Sequence, residues 1–364
     1  MNSHNPPVLL SSSSASSTST TSPTLPNEII FNILQRLGED KLSLARCMRV
    51  SSTFNEITAP ILYTTVILDG LGSTPYDTTQ WSSVLARSSQ SSLRNIDFIK
   101  NVIILPHTSP DFVKGLIERR DSVDTLRLPI LDLNGPHVPK PQGTRAYLNR
   151  PSEHRCILVE SFNPKKLVVY NSRVHTRYNK VSAQRDLHTL VFLISPNSSE
   201  YTKPTSDLCP NHTGIKRIVH TVWLASTLGV CAPHSPLQHR DATISGFMGY
   251  FSLGVRSSIT DYPQLTDIVL VNGGQLHHTI LGMQESLSRQ DRDAKFEKIV
   301  LNALVRLGKH TAKEQSGHYT LTYGARTINV VFVSLRGYFK TYDWAGEFTA
   351  EEARLWLESS KEED

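Results

Sequence analysis

The stretch from Leu25 to Leu68 reads LPNEIIFNILQRLGEDKLSLARCMRVSSTFNEITAPILYTTVIL, and its pattern sets the organisation of the chain around it. Pro26 suits a first helical turn, where its missing N–H costs nothing. Ile29, Ile30, Ile33, Leu34 and Leu37 then recur at helical spacing, and Gly38 supplies a stop. Asp40 is placed to cap a second helix carrying Leu42, Leu44, Ala45 and Cys47. Ser51 or Ser52 can cap a third with Phe54 and Ile57, which Pro60 is expected to end. Three helices this short bury little apolar surface alone. Their apolar face is also broader than one small core needs. The expectation is a module that completes its core against a partner.

Leu25-Pro26-x-Glu28-Ile29, then Ile33-Leu34, then Val50-Ser51 and Phe54, follow one another in an order that resembles the F-box motif. The tail Ala59-Pro60-Ile61-Leu62-Tyr63, running into a strand from Thr64 to Leu68, is similar to the form common in fungal F-box proteins. Phe54 stands where many F-boxes carry Trp, and both are large aromatics. The resemblance implies binding to a Skp-type adaptor and, through it, to a cullin scaffold. Leu25, Pro26, Ile29, Ile33 and Leu34 then lie at or near the adaptor contact, with Val50 and Phe54 supporting it. Some of these must instead hold the three helices together.

Upstream, residues 11–24 read SSSSASSTSTTSPT and offer almost no apolar surface to offset the entropy of ordering, so residues 1–23 are expected to be a disordered leader. Met1 to Leu10 has no basic region and only the short apolar run Val8-Leu9-Leu10, unlike a secretory signal. No apolar stretch is long enough to span a bilayer. The 4 cysteines in 364 residues do not make a disulfide framework, which fits the cytoplasm or nucleus.

Downstream, short β-rich runs follow one another at irregular spacing. They are Val102–Leu105, Thr125–Leu128, Lys166–Tyr170, Thr189–Ile194, Arg217–Leu224, Asp267–Val271, Lys298–Leu301 and Asn329–Val333. Two of them fit L-x-x-L-x-L followed by Asn: Leu265 to Asn272 and Phe296 to Asn302. Helices are expected between them at Asp77 to Ser89, Ser109 to Arg120 and Gln275 to Arg289. Strand, helix, strand at such intervals calls for a parallel sheet with crossover helices. The expected fold class is therefore α/β, α+β overall. A three-helix F-box over 24–67 precedes an irregular leucine-rich-repeat-like domain over 68–345 with a mostly parallel sheet; a compact α/β sheet reads nearly the same. Thr349 and Glu352 have capping-box spacing, opening an acidic helix within 346–364 that docks through Trp356. The aromatic run from Tyr338 to Trp344 reads as core or as a cap over the last strand.

The chemistry searched for is mostly missing. There is no G-x-S-x-G elbow, and Gly308-Lys309-His310-Thr311 lacks the upstream glycine of a phosphate loop. Cys209-x-x-His212 and Cys231-x-x-His234 have the internal spacing of zinc-ligand pairs, but one strand's length between them would hold the pairs apart, so no metal and no cofactor is expected. The net charge of +5 is uneven: 347–364 is acidic, and the basic excess gathers in 100–180 around residues such as Lys165 and Lys166. That excess is either a solvated mixed surface or a site for an acidic or phosphorylated partner. The reading is a non-enzymatic substrate-recognition subunit of a Skp–cullin–F-box ubiquitin ligase, binding adaptor and protein substrate, with no nucleic acid and no membrane. Two other classes stay open. One is an F-box scaffold outside any ligase. The other is an α/β enzyme, which predicts a pocket with ionisable groups at the carboxyl ends of strands.

Overall fold

The computed structural model describes residues 25–38, 40–70, 95–107, 120–128, 162–170, 186–194, 214–222, 241–276, 278, 280–283, 288–306, 311–315 and 317–359. Three helices come first: α1 (Asn27–Arg36), α2 (Lys41–Cys47) and α3 (Ser52–Tyr63). Their caps are the expected ones. The Asp40 carboxylate accepts from Ser43 N–H at 2.9 Å, and Ser51 Oγ accepts from Phe54 N–H at 3.2 Å. Pro60, expected to stop α3, lies inside it instead. So near the carboxyl end a proline removes a single main-chain bond, and the helix runs on to Tyr63. The Thr64 hydroxyl donates to Pro60 O. Leu34, Leu44 and Ala59 are buried where the helices meet, and Lys41 Nζ donates to Leu62 O at 3.2 Å.

From Thr64 the chain enters a ten-stranded sheet of β1 (Thr65–Gly70), β2 (Asn101–His107), β3 (Arg120–Arg127), β4 (Phe162–Tyr170), β5 (Thr189–Ile194), β6 (Arg217–Val222), β7 (Asp267–Val271), β8 (Thr311–Gln315), β9 (His318–Tyr323) and β10 (Arg326–Val333). The order across the sheet is β1-β2-β3-β4-β5-β6-β7-β10-β9-β8. Strands β1 to β7 and β10 run parallel, and β9 and β8 add antiparallel at the far edge. The chain is thus α/β, with helices at its amino-terminal end and a mostly parallel sheet after them. Register is shared along one line: Asn101, Thr125, Lys166, Thr189, Arg217, Asp267 and Asn329 sit side by side.

A parallel sheet needs cover on both faces. On the first face Leu126, Leu167, Leu190, Ile218, Ile268 and Val330 form a buried layer. Helices α4 (Asp241–Asp261) and α5 (Arg289–Val305) close it with Phe251, Val255 and Ile259, and with Phe296, Val300 and Leu304. Each such side chain stabilises the fold by roughly 1.5–3 kcal/mol. On the second face Val168, Val191, Val219 and Val269 meet α6 (Leu335–Thr341) and α7 (Ala350–Ser359) through Leu335, Tyr338, Phe348 and Trp356.

Some expected elements fall elsewhere. Lys298–Leu301 is not a strand; it lies within α5, whose Phe296, Val300 and Leu304 recur at helical spacing. Where a helix was expected from Gln275 to Arg289, the described residues up to Met283 form no α-helix, Gly273–Gln275 is a short 3-10 turn, residues 284–287 lie outside the described ones, and α5 begins at Arg289. Ser288 and Asp291 cap that start reciprocally. The helix α4 and the strands β8 and β9 have no counterpart in the sequence reading. The expected helix Asp77 to Ser89, nearly all of Ser109 to Arg120, the leader 1–23 and the four residues Cys209, His212, Cys231 and His234 lie outside the described residues.

The cover on the second face is held by a buried ionic network. Arg127 of β3 forks onto Glu352 of α7, with Nη1 to Oε2 at 2.6 Å and Nη2 to Oε1 at 2.9 Å, and Nη1 also reaches Glu347 O at 3.1 Å. Glu352 in turn accepts from Thr349 N–H at 2.8 Å, and Thr349 Oγ1 accepts from Glu352 N–H, the expected capping box. Glu347 takes Lys166 Nζ at 2.9 Å and the Tyr338 hydroxyl at 2.9 and 3.0 Å. Burial pushes the Glu347 carboxyl above the usual carboxylate range, while Lys166 and Tyr338 pull it back. Gly346 has φ +76, and a Cβ there would meet Asn101 and Thr125. The chain passes that close to the sheet as it crosses back over β2 and β3.

On the first face His220 is fully buried. It stacks on Phe192 at 5.2 Å and meets the edge of Phe251 at 5.6 Å. Neither ring nitrogen has a hydrogen-bond partner among the described residues. Burial pushes its pKa down to about 3.

Two predictions follow from these buried groups. A depressed histidine contributes stability that is complete above its unfolded pKa, near 6.5, and is lost as pH falls toward about 3. Wild-type stability should therefore fall by up to about 1.4 kcal/mol per pH unit in that window from this group. Denaturant midpoints measured across the window should fall less steeply for His220→Leu, and equal slopes would contradict this account. Separately, Arg127→Met should cost about 3–5 kcal/mol by stranding the Glu352 carboxylate. Adding Glu352→Gln should restore most of that loss, as read by urea unfolding.

Candidate docking surface on the amino-terminal helices

The first helix is built so that its spacing sorts side chains into two sets. Ile29 and Ile33 are four residues apart on one side of α1 and Leu25 precedes the helix; solvent reaches all three, with Leu25 57%, Ile29 45% and Ile33 51% exposed. Leu34 points the other way and is 2% exposed, so it belongs to the interior of the three-helix unit rather than to its surface. Pro26 is exposed at the entry to α1, where its carbonyl accepts from Ile29 and Ile30 N–H. Val50, in the turn before α3, is 69% exposed, while Phe54 on α3 is half-buried.

Phe31 and Leu42 are also exposed and extend the apolar surface. Phe31 had no place in the sequence reading because it falls off the i, i+4 rows of α1. Several large apolar side chains exposed within so small a unit are costly in water unless a partner covers them. Cys47 is a half-buried free thiol, and no group of three or more metal-ligating side chains occurs among the described residues. The exposed apolar side chains make this surface the candidate for docking.

The docking unit is joined to the sheet without a gap. Helix α3 passes through Thr64 directly into β1, and Thr64 O accepts from both Lys100 and Asn101 N–H at 2.9 Å. The short 3-10 turn Asn95–Phe98 lies against α3.

In the sheet, the described carboxyl ends of β5, β6, β7 and β10 are Ile194, Val222, Val271 and Val333, all apolar. Beyond β7, Asn272 adopts a left-handed conformation at φ 66. Its side chain donates to Val222 O at 3.4 Å and accepts from Arg289 Nη2 at 3.3 Å, while Arg292 Nε donates to Gly274 O at 2.8 Å. These contacts hold the turn to β6 and α5. The expected pair Lys165 and Lys166 separates. Lys166 turns inward to Glu347 and Asp343 O, whereas Lys165 stays exposed beside Asp124 at 2.8 Å. No helix among the described residues is long and apolar enough to cross a membrane.

Comparison with curated proteins finds no match, and comparison with solved structures finds none. Comparison with protein families gives a match described as F-box-like over residues 23–69. F-box domains generally bind Skp-type adaptors, and the match points to a non-catalytic adaptor role in a complex of that type. The three capped helices and the strand they lead into are an F-box-like domain.

Proposed function

We propose that the chain is the substrate-recognition subunit of a Skp–cullin–F-box ubiquitin ligase, working in the cytoplasm or nucleus. The observation that carries this reading is the exposed row Leu25, Ile29 and Ile33 with Val50, in a domain of the matching family. The adaptor covers that row, Pro26 sets the entry angle, and Phe54 supports it from α3. Cullin and the ligase chemistry belong to the partners. The residues from 68 onward hold a protein substrate.

The larger part is read as an irregular leucine-rich-repeat-like arc. Parallel strands laid down in chain order from β1 to β7 support this, since stacked repeats place each strand beside the next. Its second face is closed by α6 and α7, so the substrate surface lies on the rims and loops of the sheet. The direct join from α3 to β1 supports a fixed offset between adaptor and substrate, which a ligase needs to present lysines to a bound conjugating enzyme.

The test is capture of a Skp-type adaptor and cullin from a cell extract by the full chain. Leu25→Ala with Pro26→Ala should lose both partners while unfolding at the wild-type midpoint. Ile29→Asp with Ile33→Asp should do the same, because both side chains already face water. Leu34→Ala should instead cost about 2–5 kcal/mol of stability, measured by urea unfolding, as a buried truncation does. Adaptor without cullin would assign the chain to a scaffold outside the ligase. A folded wild type that captures neither would sink the reading.

A further inference from the structure

The amino-terminal rim of the parallel strands carries a run of bases, among which His188 Nδ1 lies 2.9 Å from Thr189 Oγ1. One residue before the shared line stand Lys165 on β4, His188 just before β5 and Lys216 just before β6. All three are exposed. Neighbouring strands are about 4.8 Å apart, so the run is roughly 10 Å wide. Its backbone is cross-tied: His188 N–H donates to Lys165 O at 3.0 Å, and Lys216 N–H to His188 O at 2.9 Å. Lys216 O accepts Thr266 N–H, Asp267 N–H and the Thr266 hydroxyl. The bases are thus presented from a fixed frame.

Their charges differ in how far they are spent. Lys165 is paired with Asp124, with both partners about half exposed. Arg217, next to Lys216, lies over the Tyr342 ring and is 3.9 Å from Asp267. Lys216 has no ion pair among the described residues. The charged groups facing His188 are Lys165 and Lys166 from β4 and Lys216 and Arg217 from β6; burial and these four cations hold its ring below the usual histidine pKa. Asp124 and Asp186 together raise the pKa of the neighbouring Lys165. Asp186, two residues before His188, is hydrogen-bonded to Asn163 at 2.9 Å.

We propose that this rim binds a short anionic peptide segment, seating one or two carboxylate or phosphoryl groups among Lys165, His188, Lys216 and Arg217. The proposal deepens the substrate-recognition reading and rests on it for its biological sense. The width admits a pair of anionic groups. Asp124 on one side and Asp267 on the other repel a longer uniform polyanion, so a nucleic-acid backbone is the poorer fit. A bound anion offsets the four cations around His188 and favours its protonated form, so binding takes up a proton.

The experiment is fluorescence anisotropy on the full chain with labelled hexaglutamate, a labelled phosphoserine peptide and a labelled hexaglutamine control. At least one anionic peptide should bind more tightly than the control, and more tightly at about pH 6 than at about pH 8. Binding of hexaglutamate identifies carboxylates as sufficient, and binding of the phosphoserine peptide alone identifies phosphoryl groups. Lys216→Glu should weaken binding about tenfold or more. His188→Gln should remove the pH dependence of hexaglutamate binding, the phosphoserine peptide itself titrating at about pH 6, with both variants unfolding at the wild-type midpoint. Anionic peptides bound no better than hexaglutamine would overturn the proposal, as would equal binding by Lys216→Glu. A single-stranded oligonucleotide that binds more tightly than either peptide and is lost in Lys216→Glu would overturn it in favour of nucleic acid. Because the peptides are measured directly, failure of adaptor capture leaves this result standing, and the two readings fail separately.

Discussion

The Arg127 guanidinium, buried beneath Glu352 and the Glu347 carbonyl, joins a strand near one edge of the sheet to the last helix of the chain. Together with Leu335, Tyr338, Phe348 and Trp356, that join holds the cover seen on the second face among the described residues. Parallel strands need cover on both sides, because their apolar residues alternate onto both faces. The alternation is visible in β4, where Leu167 and Val169 face α4 and α5 while Lys166 and Val168 face the returning chain. A paired charge in such a place is a weak source of net stability. Its value lies in fixing where the returning segment lands, since a bidentate fork onto one carboxylate permits a single register.

The F-box-like unit solves the opposite problem. Its three helices have too little interior to bury all their apolar residues, and the fold divides them. Leu34, Leu44 and Ala59 go inside, while Leu25, Ile29 and Ile33 stay exposed. Since α3 runs straight into β1, whatever docks on α1 is positioned relative to the sheet by hydrogen-bonded backbone rather than by a linker.

Local signals carried the sequence reading well where the chemistry is local. Asp40, Ser51 and the Thr349–Glu352 box act within three residues of themselves, and each does what its spacing implies. Buried strands such as Thr189–Ile194 are continuous apolar runs. The misreadings have equally plain causes. Phe296 to Leu301 is short and apolar, and periodicity alone does not separate a buried strand from part of a helix; the polar residues from Arg289 to Lys295 and the Ser288 cap decide it. Helix α4 contains Gly246, Gly249 and Gly254 with several serines, a poor helix by propensity, and it forms because Phe251, Val255 and Ile259 find the sheet beneath them. On the docking surface, the spacing on α1 named Leu25, Ile29 and Ile33, but no local rule could turn Leu34 inward. That choice depends on where α2 and α3 pack. The last helix docking through Trp356 was legible from its stripe, but its ion-pair partner Arg127, more than two hundred residues away, was not.

That separation has a consequence for how the protein is made. Synthesis runs from the amino end, so β3 emerges from the ribosome long before Glu352 exists to meet it. Throughout that interval Val168, Val191, Val219 and Val269 lack the cover that α6 and α7 give them in the finished fold, and Arg127 lacks the Glu352 carboxylate. The nascent sheet therefore presents a sticky valine face to chaperones until the aromatic segment from Leu335 onward arrives. A product cut short before Phe348 would keep the sequence of its F-box-like helices while losing the α7 cover of that face, and so would combine an F-box-like end with the marks of a misfolded protein.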